Sequence, residues 1–169
     1  MNTGQSLLSI GALLLLSATV LRVNNSILST DTVLQDSKFG ILATSIATSL
    51  IEKASRKSFD ANTVEDPVAN LSALTDYPLG PGWWEDPPDS CNDFDDFHGF
   101  KDTIRDLPSG EFYISCEVNY VNSNNLDGFT TSKTWHKKMT VTVTSPNMGN
   151  NNQRDSIKLS TVYSYWHFR

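Results

Sequence analysis

Apolar and polar positions divide the chain into three stretches. From Leu7 to Leu21 it runs Leu-Leu-Ser-Ile-Gly-Ala-Leu-Leu-Leu-Leu-Ser-Ala-Thr-Val-Leu without a charge. The run falls short of the roughly 20 residues that span a hydrocarbon core, and the uncharged residues from Met1 to Ser6 bring it to spanning length. From Asp31 to Phe59 the pattern stays helical. Val33, Leu34, Ile41, Leu42, Ile46, Leu50, Ile51 and Ala54 recur at the spacing of one helical stripe. Ala43, Thr44, Ser45, Ala47, Thr48 and Ser49 are small and permit close approach of another helix or a sheet. Glu52, Lys53, Arg56 and Lys57 close the segment with mostly positive charge, as suits a helix C-terminus. Residues 5–57 therefore predict one long helix of roughly 80 Å at the usual rise per residue. Asn24, Asn25 and Ser26 are poor helix formers, and Ser29, Thr30 and Asp31 form a helix-capping cluster, so a kink or unwound stretch across 24–30 and one uninterrupted helix stand as the two readings. A chain this size cannot bury such a helix alone. Its first half is expected to protrude and to find apolar partners in a membrane or in other copies of itself.

Between Ser58 and Gly110 regular periodicity is scarce, and Pro67, Pro78, Pro81, Pro87, Pro88 and Pro108 punctuate an irregular loop. Asn70 to Leu74 reads as a helical turn, and Trp83-Trp84 as a pair pinning the loop to the rest of the head, the alternative being a subunit contact or binding patch. Period-two alternation then predicts three strands. The first is Glu111 to Val121, with Phe112, Ile114, Cys116, Val118 and Tyr120 on one face. The second is Thr134 to Thr144, with Met139, Val141 and Val143 inward. The third is Ser156 to Trp166. Residues 122–131 and 146–155 read as connecting loops. The expected fold is α+β: a leader at 1–4, a long N-terminal helix at 5–57 and a head at 58–169. The apolar half of the helix protrudes, and its amphipathic half covers a small antiparallel sheet within 111–169.

The formal net charge of -6 argues against nucleic acid as a partner, because phosphate binding needs a basic surface. The densest basic cluster, His136-Lys137-Lys138, reads as a solvated strand end. Cys91 and Cys116 are an even pair in a chain with an export-like start and predict a disulfide, which would contribute roughly 3 kcal/mol by chain entropy. His98, His136 and His167 lack metal-ligand spacing, and no nucleophile elbow or phosphate loop occurs, so no catalytic constellation stands out. The acidic knot around Asp93, Asp95 and Asp96 offers carboxylates that could gather around Ca²⁺. It lacks the EF-hand glycine and glutamate, and its plainer reading is an acidic turn with Asx hydrogen bonds. No cofactor is expected otherwise.

Gly4-Gln5-Ser6-Leu7-Leu8-Ser9-Ile10-Gly11-Ala12-Leu13-Leu14-Leu15-Leu16 resembles the N-terminus of type IV pilins and pseudopilins. Leu42 to Lys53, Asp95-Asp96-Phe97-His98-Gly99-Phe100 and Trp135 to Val143 are similar to minor-pilin-like members. The resemblance implies a prepilin peptidase that cuts after Gly4 and leaves Gln5 as a modified first residue. It also implies a filament core built from Leu7, Leu8, Ile10, Leu13, Leu14, Leu15, Leu16, Val20 and Leu21. Ser9 stands where the family usually carries a glutamate, and the leader lacks the usual basic residues. The implied partners are further copies of the chain or other pilins, the peptidase and assembly machinery, and the inner membrane before assembly; the implied destination is an extracellular filament. A pseudopilin of a secretion machine and a membrane-anchored extracytoplasmic binding domain remain as alternatives.

Overall fold

A computed structural model describes residues 3–149 and 155–165. Met1 and Asn2 of the expected leader, most of the Asn-rich loop, Trp166 and His167 lie outside the described residues.

A single helix, α1, runs from Thr3 to Ser55. Helical conformation continues through 24–30, so the segment is not unwound there. Hydroxyl groups there satisfy the helix's own carbonyls instead of capping a new start: Thr30 Oγ1 donates to the Ser26 carbonyl at 2.9 Å and Thr32 Oγ1 to the Ser29 carbonyl at 2.8 Å.

By backbone contact, residues 1–38 and 39–169 form two compact units. The second unit contains the end of α1 and a five-stranded antiparallel sheet: β1 (Lys101–Ile104), β2 (Phe112–Asn122), β3 (Asn125–Thr130), β4 (His136–Thr144) and β5 (Ser156–Ser164). Four strands lie in the order β1-β2-β4-β5, and β3 folds back on the end of β2. The α+β class expected from the sequence is the observed one. β2, β4 and β5 fall where alternation placed them, with Cys116 opposite Val141 and Val141 opposite Leu159. β1 and β3 lie in stretches read as loop. Both are short and polar, and β3 keeps Leu126 and Phe129 exposed, so neither carries the alternation of a half-buried strand.

The helix covers the sheet with the C-terminal part of the expected stripe, joined by Phe39 and the small residues Ala43 and Ala47. Phe39, Ala43, Ala47, Leu50 and Ala54 are buried, Leu42, Ile46 and Ile51 flank them, and Val33, Leu34 and Ile41 are exposed. The alanines carry the contact because their small side chains bring the helix backbone close to the inward row Phe112, Ile114, Cys116, Val118, and Met139, Val141, Val143. Phe39 meets Phe112 with ring centroids 6.0 Å apart. Ala47 is fully enclosed, so Ala47→Leu is expected to cost about 1–3 kcal/mol through overpacking. A lowered urea midpoint with an unchanged slope would register it.

After Ser55 the chain turns inward and buries Phe59 and Asp60. Asp60 caps the short 3₁₀ turn Ala61–Thr63 through a capping box. The helical turn read at 70–74 is present as a 3₁₀ turn over Leu71–Ala73. Ser58 pairs with Asp93, and the Phe94 amide donates to the Ser58 carbonyl at 2.9 Å. This fixes the start of the irregular region beside the acidic knot, and Asp95–Phe97 form a further 3₁₀ turn.

Candidate functional site: an exposed apolar helix and a buried ion cluster

Helical phi and psi angles wind the uncharged run so that its large side chains point outward on every side. Leu7, Leu8, Ile10, Leu13, Leu14, Leu15, Leu16, Val20 and Leu21 are between 58% and 77% exposed. Val23, Ile27, Leu28, Val33 and Leu34 extend the apolar surface along the same helix. A helix apolar all round requires an apolar environment, either lipid or packed protein. By length and composition this one suffices to cross a membrane. Ser9 Oγ donates to the Gln5 carbonyl at 3.0 Å, so its side chain is spent on its own helix. Gly4 and Gln5 are helical and exposed, and both Gly4 and Gly11 have open space where a Cβ would stand.

The second feature lies inside the 39–169 unit. Lys137 is not at a solvated strand end; it is fully buried. Its position on β4 continues the inward row of Met139, Val141 and Val143, which aims the side chain into the core. Its Nζ reaches Asp60 Oδ2 at 2.7 Å, Asp95 Oδ1 at 2.6 Å and the Phe59 carbonyl at 2.9 Å. The rings of Phe59 and Tyr120 lie 4.6 and 5.2 Å from it. Asp60 also accepts from the Thr75 amide, the Thr75 hydroxyl, the Asn62 amide and the Tyr120 hydroxyl. Burial alone would raise the Asp60 pKa, but the Lys137 charge and these hydrogen bonds outweigh it and hold the carboxyl below its ordinary value.

The acidic knot is internal rather than solvated. Asp93 Oδ1 accepts from the Asp95 and Asp96 amides, and Asp96 Oδ2 accepts from the Asn92 and Asp93 amides. This is the Asx-type turn the spacing suggested, drawn into the core. Burial, followed by the neighbouring Asp95 charge and hydrogen bond, pushes the Asp93 carboxyl up to about 9. Burial also lifts Asp96 to about 6, against the two amides that favour its charge. Asp93, Asp95 and Asp96 do not converge as a Ca²⁺ cage, and Lys137 supplies the positive charge beside Asp95. Among the described residues no group of three or more His, Cys, Asp or Glu is placed to hold a metal ion.

Asp93 carries a definite pH dependence. Its folded-state pKa lies above the ordinary 3.8, so its contribution is fully present at low pH and is lost as pH rises toward about 9. Asp93→Asn keeps an acceptor for the Asp95 and Asp96 amides and has no proton to lose. It is expected to flatten the fall in stability across that window and to be the more stable form at its upper end. Urea midpoints at closely spaced pH values check this, and parallel slopes for both proteins would refute it.

Two further expectations are corrected. The disulfide between Cys91 and Cys116 is not formed; both are free, buried thiols. Burial pushes each thiol up to about 12, which leaves little thiolate for exchange with an oxidant. Trp83 and Trp84 do not pin their loop. They are 90% and 71% exposed and meet each other edge-on, 5.7 Å between centroids. Polar bonds hold that loop: Glu85 takes the Gly82 amide and the Asn92 amide group, each at 2.6 Å, and Asp89 pairs with Lys53 at 2.8 Å. His98 and His136 are occupied structurally, on the Val118 backbone and the Ser164 hydroxyl.

Together these features define a class in physical terms: an α+β head that shares one continuous helix with a long, exposed apolar segment. Comparison with family models, curated proteins and solved structures returns no match.

Proposed function

We propose that the chain is a structural subunit of an extracellular type IV pilus-like filament, stored in the inner membrane and polymerised through its N-terminal helix. The observation that carries this reading is the exposed apolar surface of α1 from Leu7 to Leu21. In the membrane, lipid covers that surface. In a filament, the same surface of neighbouring copies replaces lipid with helix-helix packing, and Gly11, Ala12, Ser17 and Ala18 let backbones approach. A head-to-tail contact of this kind does not close on itself, so it grows an open helical fibre. Ser9 offers no charge to a neighbour's N-terminus, so apolar packing, rather than an ion pair at this position, sets the docking of adjacent helices.

Processing between Gly4 and Gln5 by a prepilin peptidase precedes assembly in this reading. Mass spectrometry of the N-terminal peptide from assembled material is expected to find a modified Gln5 at the start. Peptides that all begin at Met1 would exclude the processed-pilin route.

The Trp83–Trp84 pair favours a second reading. An exposed aromatic pair on a polar-anchored loop suits capture of a partner. A pseudopilin, or a membrane-anchored extracytoplasmic domain, would use it so. A Leu15→Lys variant separates these readings from the filament.

A further inference from the structure

Lys137 and Asp93 both contact Asp95, one offering a nucleophile and the other a proton donor. Lys137 Nζ stands 2.6 Å from Asp95 Oδ1, with neither side chain more than 2% exposed. The Asp95 amide donates to Asp93 Oδ1 at 2.8 Å, which sets the Asp93 carboxyl beside Asp95. The two amides on Asp93 Oδ1 fix its orientation. Phe59, Tyr120, Phe94 and Phe97 are buried in the same region. Asp60, with several donors on its oxygens, is the stable carboxylate of the group and can take a proton from Lys137. Asp95 is the carboxyl that a neighbouring acid polarises.

The geometry points to a covalent modification: Lys137 Nζ and Asp95 Cγ condense into an intramolecular amide, with Asp93 as proton donor and Asp60 as proton acceptor. Asp93 passes its proton to Asp95, which becomes a neutral acid, and Lys137 passes an ammonium proton to Asp60. The amine then attacks Cγ of Asp95 and the N–C bond forms. The C–O bond breaks, and its oxygen leaves as water with the hydroxyl proton and one proton from the nitrogen. The departing water carries the proton from Asp60 back to Asp93. One ammonium and one carboxylate become one amide and one water, and no oxidant or reductant is needed.

Two physical terms drive the step. Fixed proximity within one folded chain corresponds to effective concentrations of about 10⁵–10⁸ M. Condensation also removes two buried charges whose desolvation opposes folding. Raising of the Asp93 pKa by burial keeps its proton in place near neutral pH. The product ties β4 to the turn at 95–97. In the proposed filament, on which only this use depends, the link would staple the head of a subunit under tension.

The test is the intact mass of the full-length chain, extracted in detergent and measured denatured, beside Lys137→Arg and Asp93→Asn. Wild type is expected to be lighter by one water than its processed sequence. A branched tryptic peptide should join the segment bearing Asp95 to the one bearing Lys137, with cleavage at Lys137 blocked. Lys137→Arg retains a paired cation but cannot form the bond, and Asp93→Asn lacks the proton; both should show the uncondensed mass. Wild type at the uncondensed mass overturns the proposal. So does water loss mapped elsewhere, such as a succinimide at Asp127-Gly128, or a link that persists in Asp93→Asn. None of these readouts depends on fibre formation, so failure here and failure of the filament reading are distinguishable.

Discussion

Lys137→Ala is expected to cost about 3–5 kcal/mol relative to the chain whose Lys137–Asp95 ion pair is uncondensed, the range for removing one partner from a buried charge cluster. Against a total stability of roughly 5–15 kcal/mol for a domain, that leaves the head marginal or unfolded. Asp60 and Asp95 surround Lys137 with no access to water, and its loss leaves two carboxylates facing each other across a dry site. The cavity left by the side chain adds to the cost. The loss eases in acid, where the Asp60 carboxyl, no longer held down by the Lys137 charge, can take a proton. Urea unfolding of the full chain in detergent, followed by tryptophan emission, measures it. A control separates charge from volume. Lys137→Met combined with Asp60→Asn and Asp95→Asn removes all three charges, and is expected to recover a large part of the loss. A single Lys137→Ala variant within about 0.5 kcal/mol of wild type would show that the cluster does not hold the head together.

Leu15→Lys is expected to abolish fibres while leaving the head folded. Leu15 is 73% exposed in the middle of the uncharged run. A lysine at the centre of a membrane helix costs about 2.5–3.5 kcal/mol. In a packed helical core the same charge recurs in every copy, and no carboxylate lies between Leu7 and Leu21 to pair with it. The residue belongs to the unit 1–38, outside the compact unit that holds the sheet, so the urea midpoint of the head is expected to stay unchanged. Fibre counts and the unfolding midpoint, taken together, check both halves. A pseudopilin or an anchored monomer delivered to the membrane would keep its partner binding, and wild-type fibre numbers from the variant would remove α1 from the assembly interface.

Much of this was legible in the sequence, and the gaps have physical causes. The long helix and the strands β2, β4 and β5 follow from periodicity, because each pairs one apolar face with a partner surface. Lys137 sat on the inward phase of β4, two residues before Met139, so the alternation itself marked it as buried. Its charge suggested solvent instead, since the compensating carboxylates lie far away in sequence, at Asp60 and Asp95. The helix face was legible in part: Leu50 and Ala54 of the stripe are buried, and Leu42, Ile46 and Ile51 pack beside them. Ile41 stays outside the contact, while Ala43 and Ala47, marked by their small size for close approach to a sheet, lie inside it with Ala54. β1 and β3 gain their place from strand pairing alone, which leaves no apolar signature. Trp83 and Trp84 are the opposite case. Their size suggested burial, yet the loop is held by Glu85 and Asp89, and the rings stay outside.

The most direct test of the filament account is electron microscopy of material sheared from the surface of cells that express the chain, with mass spectrometry identifying the protein in the fibres. The account predicts thin fibres that contain this chain and disappear in Leu15→Lys. Recovery of the chain only from membrane fractions, with no fibre containing it, would contradict the account.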